Sequence, residues 1–141
     1  MYSGVLAIFI RRMLNGETPT IYGDGEQSRD FTYIDNVVSA NLLACAAPSQ
    51  QVAGNCFNVA TGNRVTLNYT YSVLQKLTGF NGAPLYGPER AGDIKHSLAD
   101  ISLAEKHLGY KTLVNFEDGL ARTVEWYRGT NAALTSGRAR A

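Results

Sequence analysis

Two arginines stand in sequence settings that suit the binding of a phosphate group. Arg29 follows the glycine-rich stretch GDGEQS and begins an aromatic segment, and Arg90 lies in PERAGD between a proline and a glycine. A guanidinium group presents a planar fork of N–H donors that matches two phosphate oxygens. Two arginines presented on loops could therefore clamp a diphosphate. The alternative is that both are ordinary surface residues that pair with nearby carboxylates, namely Asp24, Asp30 or Glu89.

The motifs of self-contained active sites are absent from the sequence. It has no glycine-rich dinucleotide fingerprint, no P-loop, no HExxH and no GxSxG. His96 and His107 each stand without a nucleophile at a plausible turn, so we expect them to be surface or packing residues. Cys45 and Cys56 lack CxxC spacing, which predicts neither a metal site nor a disulfide framework. No catalytic residue is therefore assigned, and the chain alone is expected to be inactive.

Composition limits the partners of this protein. The 141 residues include 13 basic and 12 acidic side chains, so no broad basic field is available for nucleic acid. The apolar run GVLAIFI is far too short to cross a bilayer. We expect no nucleic acid and no membrane partner, and the thiol usage favours a cytoplasmic location.

The hydrophobic pattern predicts a small mixed α/β lobe. Helical spacing predicts a helix over residues 4–15, and a second helix in LNYTYSVLQKLTG that ends at Gly79. The segments PTIYG and RDFTYI are predicted to be short strands around the loop, and GNCFNVAT to be a third. The stretch NGAPLYGPERAGDIKHSL has the composition of a plain loop, although its arginine argues for more than that.

Three further helices are predicted from their capping residues. Asp35 is expected to cap NVVSANLLACAA as a largely buried helix, and Asp100 to cap ISLAEKHLG. Asn115 and Asp118 have the spacing of a capping pair for FEDGLARTVEWYR. Hydrophobic periodicity is lost after that helix, so we expect residues 1–128 to be the folded lobe and residues 129–141 a disordered tail.

Several segments in a fixed order resemble a known family. IYGDGEQSRDFTYIDNVV, FNVATG, RAGDIKHSLADISLAEKHLGY and FEDGLARTVEWY are similar to the C-terminal substrate-binding part of extended short-chain dehydrogenase/reductase enzymes. Within that family they most resemble NAD-dependent UDP-sugar 4-epimerases, over roughly residues 2–128. The resemblance implies an α/β lobe of a Rossmann-type enzyme whose dinucleotide-binding domain is missing, because the family's glycine-rich turn and Tyr-x-x-x-Lys pair precede these motifs. Met1 is then expected to be an expression start or the start of a truncated reading frame.

The resemblance also implies roles for the residues that bind the nucleotide. The arginines of the RDF and RxGD motifs contact the diphosphate in the family, which assigns that role to Arg29 and Arg90. Asp93 of the same RxGD motif would hold a ribose hydroxyl. Thr20 would offer backbone groups to the uracil edge and Tyr22 a ring to its face.

Two further sites follow from the same resemblance. Val5 and Leu6 at the first helix would form a wall of the base pocket. Ser97 would face the sugar, where a small side chain implies tolerance of a 2-acetamido group. The alternative for Ser97 is a strand serine bonded to the backbone.

Two classes of function remain open at this point. In the first, the chain is the substrate-binding part of an NAD-dependent nucleotide-sugar epimerase/dehydratase, with a UDP-hexose or UDP-N-acetylhexosamine 4-epimerase favoured over a related dehydratase or decarboxylase. NAD would be bound mainly by the missing N-terminal dinucleotide-binding domain of the full-length enzyme, and no cofactor is expected in this chain alone. The full-length enzyme is expected to be a homodimer. In the second, the chain is a non-catalytic, truncated nucleotide-sugar-binding or interaction module.

Overall fold

A computed structural model describes the backbone of residues 4–138 and the side chains of residues 4–130. The elements in chain order are α1 (Val5–Leu14), β1 (Thr20–Tyr22), β2 (Ser28–Arg29), α2 (Ile34–Ala46), α3 (Ser49–Val52), β3 (Val65–Thr66), α4 (Leu67–Thr78), β4 (Leu85–Gly87), α5 (Ser102–Leu108) and α6 (Phe116–Arg138). Packing divides the chain into two compact units made of discontinuous segments. Unit 1 comprises Met1–Gln27, Thr66–Asp93 and Leu120–Ala141, and unit 2 comprises Ser28–Val65 and Ile94–Gly119.

Unit 1 is built on a parallel strand pair and two packed helices. β1 and β4 run parallel, with Thr20 opposite Leu85 and Tyr22 opposite Gly87. Helix α1 packs on α4, where the rings of Phe9 and Tyr71 meet edge to face at 5.9 Å. Because β1 and β4 run parallel, they end side by side. The segment that follows β4 therefore starts next to the end of β1.

The helix predictions in unit 1 are confirmed, with clear physical ends. Helix α1 stops where Asn15 leads into Gly16, which has a φ of +74°. The Thr66 side chain accepts a hydrogen bond from the Tyr69 amide at the start of α4, and Gly79 closes that helix in the left-handed conformation. The glycine- and proline-rich stretch is not a plain loop, since β4 lies inside it.

Unit 2 packs α2 against α5 around a small core. The buried members of that core are Ala40, Ala104, Leu108 and Tyr110. Asn36 is fully buried, and its amide accepts from the backbone N–H groups of Leu113 and Val114 and donates to the Val114 carbonyl. This asparagine ties the start of α2 to the chain before α6.

Helix α2 differs from the prediction in two respects. It begins at Ile34, so Asp35 lies inside its first turn and is not the N-cap. A carboxylate at this position is stabilised by the helix dipole. The helix is also less buried than predicted, because Val38 and Leu42 are 48% and 66% exposed. Within unit 2 only the face that carries Ala40 is covered.

Two strand predictions in unit 2 were wrong. In RDFTYI only Arg29 lies in a strand, β2, which pairs with β3. The segment GNCFNVAT contains no strand among the described residues, and side chains bind part of its backbone instead. The Tyr110 hydroxyl, for example, donates to the Ala60 carbonyl at 2.7 Å. The polar stretch between α2 and this segment contains the short helix α3.

The capping predictions near the C-terminus are largely confirmed. The Asp100 carboxylate accepts from the Ser102 amide at 3.0 Å, one residue before the position where the cap of α5 is assigned. Asn115 and Asp118 bond reciprocally at the start of α6. That helix continues to Arg138, so the backbone is helical where the sequence predicted a tail, and residues 139–141 lie outside the described part. None of the helices in the described residues is both long and apolar enough to span a membrane.

Candidate functional site

The loop Tyr22–Gln27 in unit 1, here called the glycine loop, is closed by side chains on its own ends. The Gln27 side-chain amide donates to the Tyr22 carbonyl, and the Glu26 amide donates to the Asp24 carboxylate at 2.9 Å. Gly23 and Gly25 have φ values of +82° and +77°, which only glycine adopts at low cost. The loop therefore has a defined backbone shape although Asp24 and Glu26 are exposed.

Asn68 on α4 holds the same loop from outside. Its backbone amide donates to the Gly25 carbonyl at 3.0 Å, and its side-chain amide donates to the Asp24 carbonyl and the Glu26 carboxylate at 3.1 and 2.6 Å. The Tyr86 hydroxyl of β4 donates to its side-chain oxygen at 3.0 Å. One residue thus links the glycine loop, α4 and β4.

Arg90 lies on the aromatic ring of Tyr22. The guanidinium carbon is 3.9 Å from the ring centroid, within cation–π distance. The turn that presents Arg90 is closed by the Asp93 amide, which donates to the Arg90 carbonyl at 3.2 Å, with Gly92 at a φ of +81°. Glycine with positive φ at the third position is the requirement of a type II turn. The structure therefore brings three of the predicted residues, Tyr22, Arg90 and Asp93, to one place in unit 1.

Arg29 and Ser97 are brought together in unit 2. One guanidinium nitrogen of Arg29 donates to the carbonyls of Ser28 and Lys95 at 2.8 and 3.4 Å. Ser28 forms a parallel bridge with His96, and its carbonyl accepts from the Ser97 amide at 3.1 Å. Ser97 lies just after that bridge, outside any strand, and its side chain is exposed.

Two polar groups near Arg29 have structural partners. The Ser28 hydroxyl and the His96 imidazole are 2.9 Å apart. The Asp30 carboxylate accepts three hydrogen bonds, from the Thr61 amide and hydroxyl and from the Gly62 amide, at 2.6 to 3.0 Å. Asp30 was one of the carboxylates considered as a surface partner of Arg29, and the structure instead shows its carboxylate bonded to Thr61 and Gly62 within unit 2.

The remaining predicted site residues lie in unit 1. Val5 and Leu6 are half-buried in the first turn of α1, and Thr20 is half-buried in β1 opposite Leu85. Together with the residues above, each predicted position has a defined place in one of the two units. Their roles toward a ligand stay predictions.

Sequence reasoning missed Gln27 and Asn68, which shape the glycine loop. Gln27 is nine-tenths buried, and its side-chain oxygen has no hydrogen-bond partner among the described residues. Asn68 contacts a loop more than forty positions earlier in the chain, so no local pattern could identify it. The one signal in the sequence was a glycine, Gly25, in a predicted turn, and in the structure this glycine has a positive φ.

The glycine pair of this loop does not fit a dinucleotide cradle. Such a cradle opens directly into a helix N-terminus and lets a pyrophosphate approach the glycine backbone. Here the loop leads from β1 to β2, and the space beside Gly25 is filled by Asn68, whose side-chain oxygen would lie 2.0 Å from an added Cβ. Among the described residues, no group of three His, Cys, Asp or Glu side chains could hold a metal ion.

Burial and hydrogen bonding shift three pKa values. Burial raises the pKa of Tyr71 and of Tyr110 above the usual value for a tyrosine. Hydrogen bonds from the backbone and side chain of Ser102 lower the pKa of Asp100. All three groups act in packing or capping.

The sequence matches one family model and several known proteins. Residues 1–60 match the model of the NAD dependent epimerase/dehydratase family. A putative UDP-glucose 4-epimerase from Methanocaldococcus jannaschii is 35% identical over 129 residues, which are 92% of this chain and 40% of that protein. A UDP-N-acetyl-alpha-D-glucosaminuronate decarboxylase from Bacillus cytotoxicus is 28% identical over 90% of this chain and 40% of its own length. The chain therefore spans about two fifths of these relatives.

Solved structures of similar proteins have the same fold. UDP-glucose 4-epimerase from Thermotoga maritima, solved with UDP-glucose, is 43% identical with a TM-score of 0.84 over 91% of this chain and 40% of its own. UDP-N-acetylglucosamine 4-epimerase from Methanobrevibacter ruminantium, in complex with UDP-N-acetylmuramic acid, is 40% identical with a TM-score of 0.81 over 92% and 40%. UDP-glucuronic acid 4-epimerase from Bacillus cereus, solved with UDP-glucuronic acid and NAD, is 28% identical with a TM-score of 0.82 over 91% and 40%. The resemblance inferred from the motifs is confirmed: the chain is related in sequence and in fold to the C-terminal portion of NAD-dependent UDP-sugar epimerases of the epimerase/dehydratase family.

Proposed function

We propose that this chain is the nucleotide-sugar-binding part of an NAD-dependent epimerase that acts on a UDP-hexose or a UDP-N-acetylhexosamine. The observation that supports it most is the contact between Arg90 and Tyr22, which joins a cation and an aromatic ring at the mouth of a rigid loop. A nucleoside diphosphate offers a planar base and an anionic diphosphate, the two chemistries that these side chains recognise. Relatives with this fold have been solved with UDP-sugars.

The stacked geometry suits Arg90 to bind a phosphate. A guanidinium that lies over a ring keeps its N–H donors in the plane parallel to that ring, so they can point outward to oxygen atoms. Contact with Tyr22 also restricts the long side chain before a ligand arrives. Less conformational entropy is then lost on binding than for a solvated arginine.

Arg29 is restrained in a different way. Its bonds to the Ser28 and Lys95 carbonyls hold one nitrogen of the guanidinium group while the side chain is half-buried. A partly buried cation attracts an anion more strongly than a fully solvated one, because the local dielectric constant is lower. We assign Arg29 the same ligand group as Arg90, the diphosphate, and Asp93 a ribose hydroxyl.

These residues would bind and orient the nucleotide and would leave the sugar to react. NAD, which is present in the solved structure of the Bacillus cereus relative, would supply the hydride chemistry in the longer protein. The diphosphate does not react, so its binding energy can hold the substrate in the site while the sugar rotates during epimerisation. Thr20, Val5 and Leu6 would line the base, and the small side chain of Ser97 would leave room for a 2-acetamido group.

A chimera tests the reaction. The 141-residue chain is joined to the N-terminal portion of the Thermotoga maritima relative, and conversion of UDP-glucose to UDP-galactose is followed with NAD present. We expect conversion by the chimera and none when Arg90→Ala is introduced. A folded chimera that binds UDP-glucose and UDP-N-acetylglucosamine without converting either to its 4-epimer would contradict the 4-epimerase assignment.

The decarboxylase relative favours a second candidate reaction. Its 28% identity covers 90% of this chain, so the same fold serves a reaction that releases carbon dioxide. Incubating the chimera with a UDP-uronic acid distinguishes the two, because decarboxylation yields a nucleotide pentose and epimerisation retains the carboxylate. A chain that binds UDP-sugars but supports neither reaction would be a binding module.

A further inference from the structure

Asn68 makes more hydrogen bonds to the glycine loop than its place on a helix requires. A residue in the first turn of a helix needs no partner for its side chain, yet this one bonds two loop residues and Tyr86. Its neighbours Leu67 and Thr70 are buried, whereas Asn68 is half-buried and directed to the exposed loop. Its contacts therefore serve the shape of the loop and contribute little to the core.

The loop and the side chain fit each other closely. Gly25 has no Cβ, and an added Cβ would lie 2.0 Å from the Asn68 side-chain oxygen and 2.8 Å from its nitrogen. The two donors of the amide are directed at the Asp24 carbonyl and the Glu26 carboxylate, while its oxygen accepts from Tyr86. An aspartate of the same shape would lack both donors.

The first residue of the glycine loop, Tyr22, is one of the residues proposed to bind the nucleotide. Its carbonyl is held by Gln27, and its ring carries Arg90. The Tyr86 that donates to Asn68 lies in β4, paired with Ile21 next to Tyr22. A shift of the Asn68 side chain would therefore change the position of Tyr22, both through the loop and through the strand pair.

We propose that Asn68 is a positioning residue for nucleotide binding, which sets the glycine loop so that Tyr22 and Arg90 meet the ligand together. This inference rests on the proposed function. It adds a residue that touches no ligand and acts through hydrogen bonds to the loop.

The test uses the 141-residue chain with Asn68→Asp and, as a matched control, Asn81→Asp, which places the same charge at an exposed position of unit 1. UDP-glucose is titrated by calorimetry at pH 7.5 and pH 4.5, since its diphosphate diester does not titrate in that range. At pH 7.5 the new carboxylate faces Glu26 and cannot donate, and we expect affinity about tenfold below wild type, as for one lost bond to a charged group. A carboxyl beside another carboxylate protonates more readily, and the protonated form can donate again, so we expect the deficit to shrink at pH 4.5.

Equal affinity of Asn68→Asp and wild type at pH 7.5 would overturn the inference, and so would a deficit that persists unchanged at pH 4.5. Loss of affinity in Asn81→Asp as well would show a general effect of charge and would also overturn it. If the wild-type chain itself binds no UDP-glucose, the proposed function fails for this chain, and amide hydrogen exchange then tests positioning alone. Exchange of the Glu26 amide, which is bonded to the Asp24 carboxylate, must be at least about threefold faster in Asn68→Asp than in Asn81→Asp at pH 7.5, and equal rates would overturn the inference.

Discussion

The guanidinium carbon of Arg90 lies 3.9 Å from the centre of the Tyr22 ring, although 67 residues separate the two in sequence. The parallel pairing of β1 with β4 explains this contact, because Tyr22 ends one strand and the turn with Arg90 follows the other. Neither side chain would be positioned without that pairing.

A double-mutant cycle measures whether this contact matters for binding. Tyr22→Leu and Arg90→Ala are each expected to weaken UDP-glucose binding, and the effect of Arg90→Ala is expected to be smaller by about 0.5 to 1 kcal/mol when Tyr22 is already leucine. Tyr22→Phe keeps the ring and should behave as wild type. Additive effects of the two substitutions in calorimetric titrations would mean that the ring does not orient Arg90.

Arg29 is predicted to bind as a fork, so its charge alone is insufficient. Arg29→Lys keeps the charge but loses the planar donors, and we expect affinity for UDP-glucose to fall about tenfold. The thermal midpoint should change little, since the substitution leaves no buried cavity. Arg64→Lys, at an exposed position of the same unit, is the control. Equal affinities in all three proteins would favour the surface-residue interpretation of Arg29.

Gly25 is predicted to be intolerant of any side chain. Gly25→Ala costs about 1 kcal/mol of unfolding free energy for its positive φ, and the clash with Asn68 adds about 1 to 3 kcal/mol. Gly16→Ala isolates the first term, because Gly16 has a similar φ and open space around it. Urea denaturation of both variants gives the comparison. A Gly25→Ala protein as stable as Gly16→Ala would show that the loop is not packed on Asn68 as described.

Asp100 should make stability depend on pH in one direction. Hydrogen bonds from Ser102 lower its folded pKa, so its carboxylate stabilises the fold at pH values above the ordinary aspartate pKa of about 4. That stabilisation is lost as the pH falls through the lowered folded pKa. The difference in unfolding free energy between wild type and Asp100→Asn should therefore be present at pH 7 and shrink under acid conditions. A difference that is constant from pH 7 to pH 2 would indicate that the charge of Asp100 has no part in capping.

Local signals predicted the helices well. Gly79 ends α4 and the Asn115–Asp118 pair starts α6 because caps act over three or four residues. The strand predicted in PTIYG is confirmed as β1, but the other two strand predictions were wrong, because strands depend on partners that are distant in sequence. RDFTYI and GNCFNVAT have strand composition, yet side-chain hydrogen bonds replace strand pairing in unit 2. The Asp30 carboxylate accepts from the Thr61 amide, and the Tyr110 hydroxyl donates to the Ala60 carbonyl.

The candidate site shows the same division. The glycines of the glycine loop and the arginine and glycine of the RAGD turn could be identified because turn chemistry is local. The contact of Arg90 with Tyr22 and the bonds of Asn68 to the glycine loop could not, since each joins segments more than forty residues apart. Composition alone would have assigned β4 to a loop.

The central claim is that this chain binds a UDP-sugar through its arginines, and calorimetric titration of the purified chain with UDP-glucose tests it most directly. We expect saturable one-to-one binding that is lost in Arg29→Ala and in Arg90→Ala, with thermal midpoints close to wild type. A folded chain that releases no binding heat and shows no stabilisation by UDP-glucose would contradict the claim.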